Sequence, residues 1–480
     1  MMDPLLRKEN TSMLWLTINR SLSVPLIQQI YQQIRELILQ GKLQEGEKLP
    51  STRALAEELA VSRNVVIEAY DQLASEGFIE TNHGSGTFVA EGTYLKPRVE
   101  VKLATDFKMF ENSQERHDLI DFRSGIPALN LLPQKTLAKL SYQLWNDVPF
   151  SVFGYDLPAG RPELRNSLAK YLEKTRGVHC HPNQLVITSG ATQALTIVGK
   201  LLLSAGDEVL IEDPITNDIQ TIFKSAGALL FPVSVDKEGM KTSLLPQDKE
   251  PKFVFVTPSH QFPLGGILPI QRRIELINYA REKDCYLVED DYDSEFRYEG
   301  SPIHSLQGLE PERVLYIGSF SKILSPALRM GYVILPKSLI ERCRNLKWFT
   351  DLHTPSVNQL ILARFIEEGY LERHIAKMKK VYRWRRDFFI ACLKKAFTNR
   401  INIFGASTGL HLIAEFQELT FTKPLIEEIS HFGVKVYSVE DHAIVKGRHE
   451  NRLILGYGHL TKEELKVGVS RLKQAIEILK

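Results

Sequence analysis

Apolar positions in residues 21–90 repeat at helical spacing. Leu26, Ile30, Ile34, Leu37 and Ile38 fall on one face of a helix that ends before Gly41. After a Gly-containing turn, Leu55 and Leu59 mark a second, short helix. Ser62 is placed to cap a third, whose buried face is Val66, Ala69, Tyr70 and Leu73 and whose opposite face begins with Arg63, Asn64 and Ile67. Phe78–Thr81 and Thr87–Val89 then flank Asn82-His83-Gly84-Ser85-Gly86, a turn-rich tip that predicts a β-hairpin. The stretch 91–119 has no sustained periodicity and reads as a linker.

From residue 120 the pattern changes. The runs LVITSG, EVLIED, KFVFVTP, CYLVEDD and VLYIGSF are short, β-branched and continuously apolar, as strands buried on both faces of a mainly parallel sheet require. They alternate with amphipathic helical segments, which gives an α/β architecture. From about Lys337 long helices, then short strands and a final helix from Thr461, predict a smaller α+β subdomain over 337–480. The expected molecule is multidomain: a small helical unit with a hairpin, followed by an α/β unit over 120–480.

Composition changes this picture little. With 480 residues, one core is too small a unit. A net charge of +2 supplies no global field for nucleic acid or membrane. Cys180, Cys285, Cys343 and Cys392 are scattered, so neither a disulfide framework nor a zinc site is expected, no metal is assigned, and a reducing cytoplasm is the natural setting. No apolar run approaches membrane-spanning length, so a soluble protein is expected.

A short helix, a tight turn and a capped helix form the layout in which the second helix enters the major groove. A small helical interaction domain fits the same pattern. Residues 1–90 hold eight Lys/Arg against eleven Asp/Glu, so any DNA contact must come from a few placed donors.

In the second unit, VLYIGSFSKILSPALRMGYV runs a buried strand into a Ser/Gly loop bearing Lys322, with Arg329 beyond it. CYLVEDDYDSEF leaves Asp290, Asp291 and Tyr292 at the end of another strand, and LVITSGATQALTIVGKLLL is a strand, a Gly190 turn and a helix starting near Ala191. Ligands of open α/β sheets sit beyond the carboxyl ends of strands, so the three clusters are expected to converge. Each alone is ordinary: a loop lysine is usually a solvated charge, and paired aspartates as often hold magnesium or cap a turn. Together they supply an amine for a carbonyl cofactor, a carboxylate for a pyridine nitrogen, a phenol donor and an amide-rich phosphate cup. Those are the needs of pyridoxal phosphate.

The run LPSTRALAEELAVSRNVVIEAYDQLASEGFIETNHGSGTFV resembles the GntR-type winged helix. That resemblance implies that Ser51 and Arg53 contact phosphate, that Ser62, Arg63 and Asn64 grip or read the groove, and that His83 and Gly84 carry the wing to the minor groove. Ile67 stands where some members carry a basic residue. Residues 120–480 resemble the fold-type I aminotransferases. TPSHQFPLG, EDDYDSEF and the GSFSK segment, joined to the winged helix, resemble the MocR/GabR family of transcription regulators. The resemblance makes Lys322 the Schiff-base lysine, Asp290 the partner of the pyridine nitrogen and Tyr292 the partner of the phenolic oxygen. Ser319, Ser321 and Arg329 then bind the phosphate with the Gly190, Ala191 and Thr192 turn.

Departures from the pattern accompany the matches. Phe262 replaces the usual Asn of aminotransferases, Thr216 replaces a ring-stacking aromatic, Asp218 stands where some members have a basic residue, and His459 where many have the carboxylate-clamping Arg. Arg448 and Arg452 are the nearby cations that could substitute. Three functions are weighed: a regulator that binds an operator and senses the cofactor, an amine or an amino acid; an aminotransferase with an accessory DNA-binding domain; and a scaffold with a dead cofactor site. The complete Lys322–Asp290–Arg329 set opposes the last, and the departures oppose efficient turnover. The expected protein is a homodimeric, cytoplasmic regulator, with a residual transaminase-type half-reaction left open.

Overall fold

The computed structural model describes residues 16–82, 84–95 and 118–479. The chain divides into two compact units, within Met1–Ser113 and within Gln114–Lys480.

The first unit is a three-helix core with a hairpin. Helix α1 (Leu26–Leu39) buries Ile30, Ile34 and Ile38, and the chain turns at Gly41 with φ +69°. Helix α2 (Thr52–Glu58) starts from Ser51, whose hydroxyl accepts the Ala54 N–H at 3.2 Å. Helix α3 (Arg63–Ser75) buries Val66, Ala69, Tyr70 and Leu73, the face its spacing requires. Strands β1 (Ile79–Asn82) and β2 (Gly86–Val89) pair antiparallel, β1 shifted one residue later than the sequence expectation and β2 starting one residue earlier. Gly84 (φ +80°) and Gly86 (φ +116°) make the turn between them, a conformation side-chain-bearing residues rarely adopt. Residues 91–95, expected as linker, still belong to this unit: the Gly92 N–H donates to Glu45 and the Leu95 N–H to the Leu39 carbonyl. The rest of that stretch, 96–117, lies outside the described residues.

The second unit begins with β3 (Ile120–Asp121), followed by α4 (Gln134–Asp147) and α5 (Pro162–Arg176). Its large sheet contains β4 (Leu185–Thr188), β5 (Glu208–Asp213), β6 (Leu229–Asp236), β7 (Gly239–Met240), β8 (Phe253–Val256), β9 (Tyr286–Asp291), β10 (Val314–Ser319) and β11 (Gly331–Ile334). The order is β4-β11-β10-β9-β8-β5-β6-β7. Strands β5, β6, β8, β9 and β10 run parallel; β11 opposes both its neighbours, so β4 again points with β10. The ends of β4, β9 and β10 therefore lie on one edge, where the three sequence clusters begin. Helices α6 (Ala191–Leu202), α7 (Asn217–Ser225) and α8 (Ile270–Glu282) cover the sheet faces. Every residue of β4, β8, β10 and β11 is buried, which explains their unbroken apolar runs.

The smaller subdomain departs from its expected start near 337. Helices α9 (Ile340–Asp351) and α10 (Ser356–Glu367) send Cys343, Leu362, Ala363 and Phe365 into the cores of the large sheet. The separate core begins with the long helix α11 (Tyr370–Phe397) and takes in Ile120, Phe122 and Ala128 from the front of the unit. Strand β3 pairs there with a strand at Val434–Lys435. Pairing across three hundred residues leaves no local signal. Among the described residues no helix is long and apolar enough to cross a membrane.

Candidate functional site

On the first unit, the starts of α2 and α3 are tied together, since Arg63 Nε donates to Thr52 Oγ1 at 3.3 Å. Ser51, Arg53, Ser62, Arg63 and Asn64 are all exposed there. Arg53 makes only a surface pair with Glu57 at 3.4 Å, worth little in water and easily exchanged for a phosphate. Ser62 holds the cap position of α3 but makes no side-chain cap bond. Gly84 sits at the hairpin tip; His83 lies outside the described residues. Lys48, not singled out by spacing, bridges to Phe88 alongside this hairpin, with its ammonium 6.0 Å from the Phe88 ring. Two adjacent helix starts and a protruding hairpin form a surface with donors and free N–H groups, suited to a polyanion.

In the second unit, β9 ends in two aspartates that successive strand positions send to different sides. Asp291 is held through Oδ2 by Arg176 at 2.7 Å and by the Tyr316 hydroxyl at 2.5 Å, its Oδ1 being unpaired. Asp290 has no such neighbour: its Oδ1 is buried without a hydrogen-bond partner, and burial beside Asp291 and Asp293 pushes its pKa up to about 7. A buried, unpaired carboxyl oxygen is costly unless a cationic donor meets it, and a protonated pyridine nitrogen is such a donor. Lys322 follows β10; burial holds its pKa below the ordinary lysine value, against the pull of Asp293 and Asp290. A neutral amine is what attack on a carbonyl requires. Gly125 packs on this lysine, and a Cβ there would lie 2.6 Å from Nζ.

The phosphate end is also assembled. Gly190 (φ +97°) starts α6 without a side-chain cap, leaving the Ala191 and Thr192 N–H groups for a ligand. The Arg329 guanidinium lies over this turn and donates to the Ser189 carbonyl at 2.6 Å. Ser319 Oγ bonds Ser321 Oγ at 2.9 Å at the end of β10. The Tyr292 hydroxyl lies 3.0 Å from His260 Nδ1, which is 2.9 Å from Asp293. The residues present thus fit pyridoxal phosphate at its carbonyl, ring nitrogen, phenol and phosphate.

Residues 26–89 match the family "Bacterial regulatory proteins, gntR family", and residues 118–472 match "Aminotransferase class I and II". The chain is 34% identical to the uncharacterized HTH-type transcriptional regulator YdeL of Bacillus subtilis, covering 96% of this chain and 99% of that one. It is 32% identical to the probable rhizopine catabolism regulatory protein MocR of Rhizobium meliloti, over 96% and 95% of the two chains. Among solved structures, the multiple substrate aminotransferase of Thermococcus profundus matches with a TM-score of 0.71 at 28% identity, over 76% of this chain and 92% of that one.

The chain belongs to the MocR/GabR family of regulators. As a MocR-type protein it joins a DNA-binding winged helix to a fold-type I domain that binds pyridoxal phosphate.

In this MocR-type chain the sequence departures find concrete places. His459 Nε2 bonds the Asp121 backbone carbonyl at 3.0 Å, a structural contact. Arg452 is engaged by Glu415 and His449, while Arg448 is exposed and bonds the Ser234 hydroxyl at 3.2 Å. Thr216 caps α7, with Asp218 in its first turn. Phe262 stands edge-on to Tyr292, His411 and His442, so rings fill the position where aminotransferases usually carry Asn. Two features escaped sequence reasoning. Arg123 is exposed, has no hydrogen bond or ion pair on its guanidinium among the described residues, and acts electrostatically on Lys322. His260, Asp293 and His411 also converge, with possible ligand atoms within 4.8 Å of one another. Hydrogen bonds account for all three, His411 reaching the Pro263 carbonyl at 2.9 Å. The PSH of TPSHQFPLG was the one available signal for His260.

Proposed function

We propose that this MocR-type regulator holds pyridoxal phosphate through Lys322, Asp290, Tyr292, Ser319, Ser321, Arg329 and the Gly190–Ala191–Thr192 turn. Its operator is held through Ser51, Arg53, Ser62, Arg63 and Asn64, with the wing at His83 and Gly84. When bound, the cofactor supplies an electrophilic carbon and an electron-withdrawing ring. Lys322 provides the amine that holds that carbon, Asp290 keeps the ring nitrogen protonated, and Arg329 with the helix start fixes the phosphate. The observation that carries the reading is the unpaired, buried Asp290 oxygen in the cleft beside Lys322.

Occupancy of the cleft is read out as operator affinity. Arg123 favours as effector an amine that also carries an acid group; the cofactor itself is the competing effector. The working form is a cytoplasmic homodimer. Phe150 is 92% exposed and Phe349 87%, alongside exposed Tyr142, Trp145 and Tyr155 on the second unit, an apolar surface that a single chain leaves in water. The test is borohydride treatment of the purified protein followed by peptide mapping. A visible absorbance band and label on Lys322 are expected; label on another lysine, or no band, overturns the site.

A further inference from the structure

The Tyr292 hydroxyl is not placed alone. His260 stacks on its ring, with centroids 5.7 Å apart and planes inclined by 26°, and brings Nδ1 to 3.0 Å from the phenol oxygen. The same Nδ1 lies 2.9 Å from Asp293 Oδ1, with both side chains almost wholly buried. Above them is Gly409 (φ +81°), where any Cβ would overlap Asp293 and His260, so the backbone leaves room only for this pair.

The hydrogen assignments follow. An ionised carboxylate only accepts, so Nδ1 must carry a hydrogen whether the ring is neutral or charged. Nδ1 therefore cannot accept from Tyr292. Burial raises the Tyr292 pKa well above the ordinary phenol value, so the hydroxyl keeps its own hydrogen. That hydrogen has to be donated away from His260. Other charged groups acting on Tyr292 are Asp290 and Asp291 at the end of β9 and Glu212 on β5; the His411 ring lies 5.1 Å from that of His260, inclined by 37°.

We infer that Asp293 and His260 are positioning residues that oblige Tyr292 to act as a hydrogen-bond donor to the cofactor's phenolic oxygen. The inference rests on the site proposed above. A donor at that oxygen stabilises the form with more negative charge on it, and so lowers the pH at which the bound cofactor's visible band changes.

The experiment is a pH titration of that band in the full-length holoprotein and its variants. Borohydride mapping of each first establishes that Lys322 carries the cofactor. Tyr292→Phe is expected to raise the midpoint by about half to one pH unit, the equivalent of one hydrogen bond. His260→Phe should raise it in the same direction, and the double variant should go no further than Tyr292→Phe. Asp293→Ala removes both the acceptor and a charge that itself raises the Lys322 pKa, so it is read by coupling. Adding Tyr292→Phe to it should move the midpoint less than in the wild type, because Nδ1 is then free to accept from Tyr292; this pair carries the test if His260→Phe fails to fold. A wild-type midpoint in His260→Phe, an undiminished effect of Tyr292→Phe in the Asp293→Ala background, or full additivity of His260→Phe with Tyr292→Phe, would overturn the inference while leaving the site intact. Label absent from Lys322 in the wild type would overturn the site and the inference together.

Discussion

Replacing Asp290 by Asn should strengthen the protein without its cofactor and weaken the protein's hold on it. In the cofactor-free site the Asp290 pKa is raised from 3.8 to about 7, chiefly by burial. That rise corresponds to about 4 kcal/mol of penalty for holding the group ionised. For an acid with a raised folded-state pKa the sign is fixed. The folded protein binds more protons than the unfolded chain between 3.8 and about 7, so stability falls as pH rises through that window. Asn removes the penalty but leaves an unsatisfied buried amide, costing about 1–3 kcal/mol. The apo variant should therefore gain about 1–3 kcal/mol at around pH 8, and the gain should vanish near about pH 5, where native Asp290 is protonated. In the holoprotein the variant loses a charged partner of the ring nitrogen. Cofactor affinity should fall about ten- to a hundredfold. The assay is urea unfolding of both apoproteins at the two pH values, with cofactor affinity from fluorescence quenching. A gain independent of pH would refute the buried-carboxylate reasoning, and unchanged affinity would refute the pairing with the ring nitrogen.

Three further outcomes are expected. Arg53→Ala should weaken binding evenly across DNA sequences and lower the salt slope, while Arg63→Ala should cost about 1–3 kcal/mol and relax specificity, both read by fluorescence anisotropy at several salt concentrations. Arg123→Gln should weaken spectral binding of acid-bearing amines about tenfold and leave decarboxylated analogues unchanged; equal losses for both would remove Arg123 from ligand recognition. His459→Phe should leave ligand affinity unchanged and lower thermal stability by the loss of its bond to the Asp121 carbonyl, since that bond and not the cleft occupies the ring.

Much of this was legible because it is local. Apolar spacing marks α3 and its buried face, and strand-end position explains why the Gly190 turn, Asp290 and Lys322 meet: β4, β9 and β10 point the same way. The rest depends on distant pairing. Arg123 reaches the lysine only because its segment lies against Gly456 and places Gly125 on Lys322, contacts that no periodicity encodes. Ile120 and Phe122 join the smaller subdomain for the same reason. Asp293 carries no signal of its own in the sequence, since its partner His260 lies thirty-three positions earlier and only the fold brings the two together.

The central claim is that one ligand cleft governs one DNA surface, and operator affinity measured against cleft occupancy tests it most directly. Apoprotein, holoprotein and holoprotein with an acid-bearing amine would be titrated at fixed salt with a duplex that the wild-type protein selects from random-sequence DNA, beside a Lys322→Ala control. At least one change of occupancy should shift operator affinity about five-fold or more in the wild type, and Lys322→Ala should not respond to the amine. Identical affinity in all wild-type states, with rapid turnover of an amino acid and a keto acid in the same preparation, would contradict the regulator and support an aminotransferase carrying a DNA-binding domain.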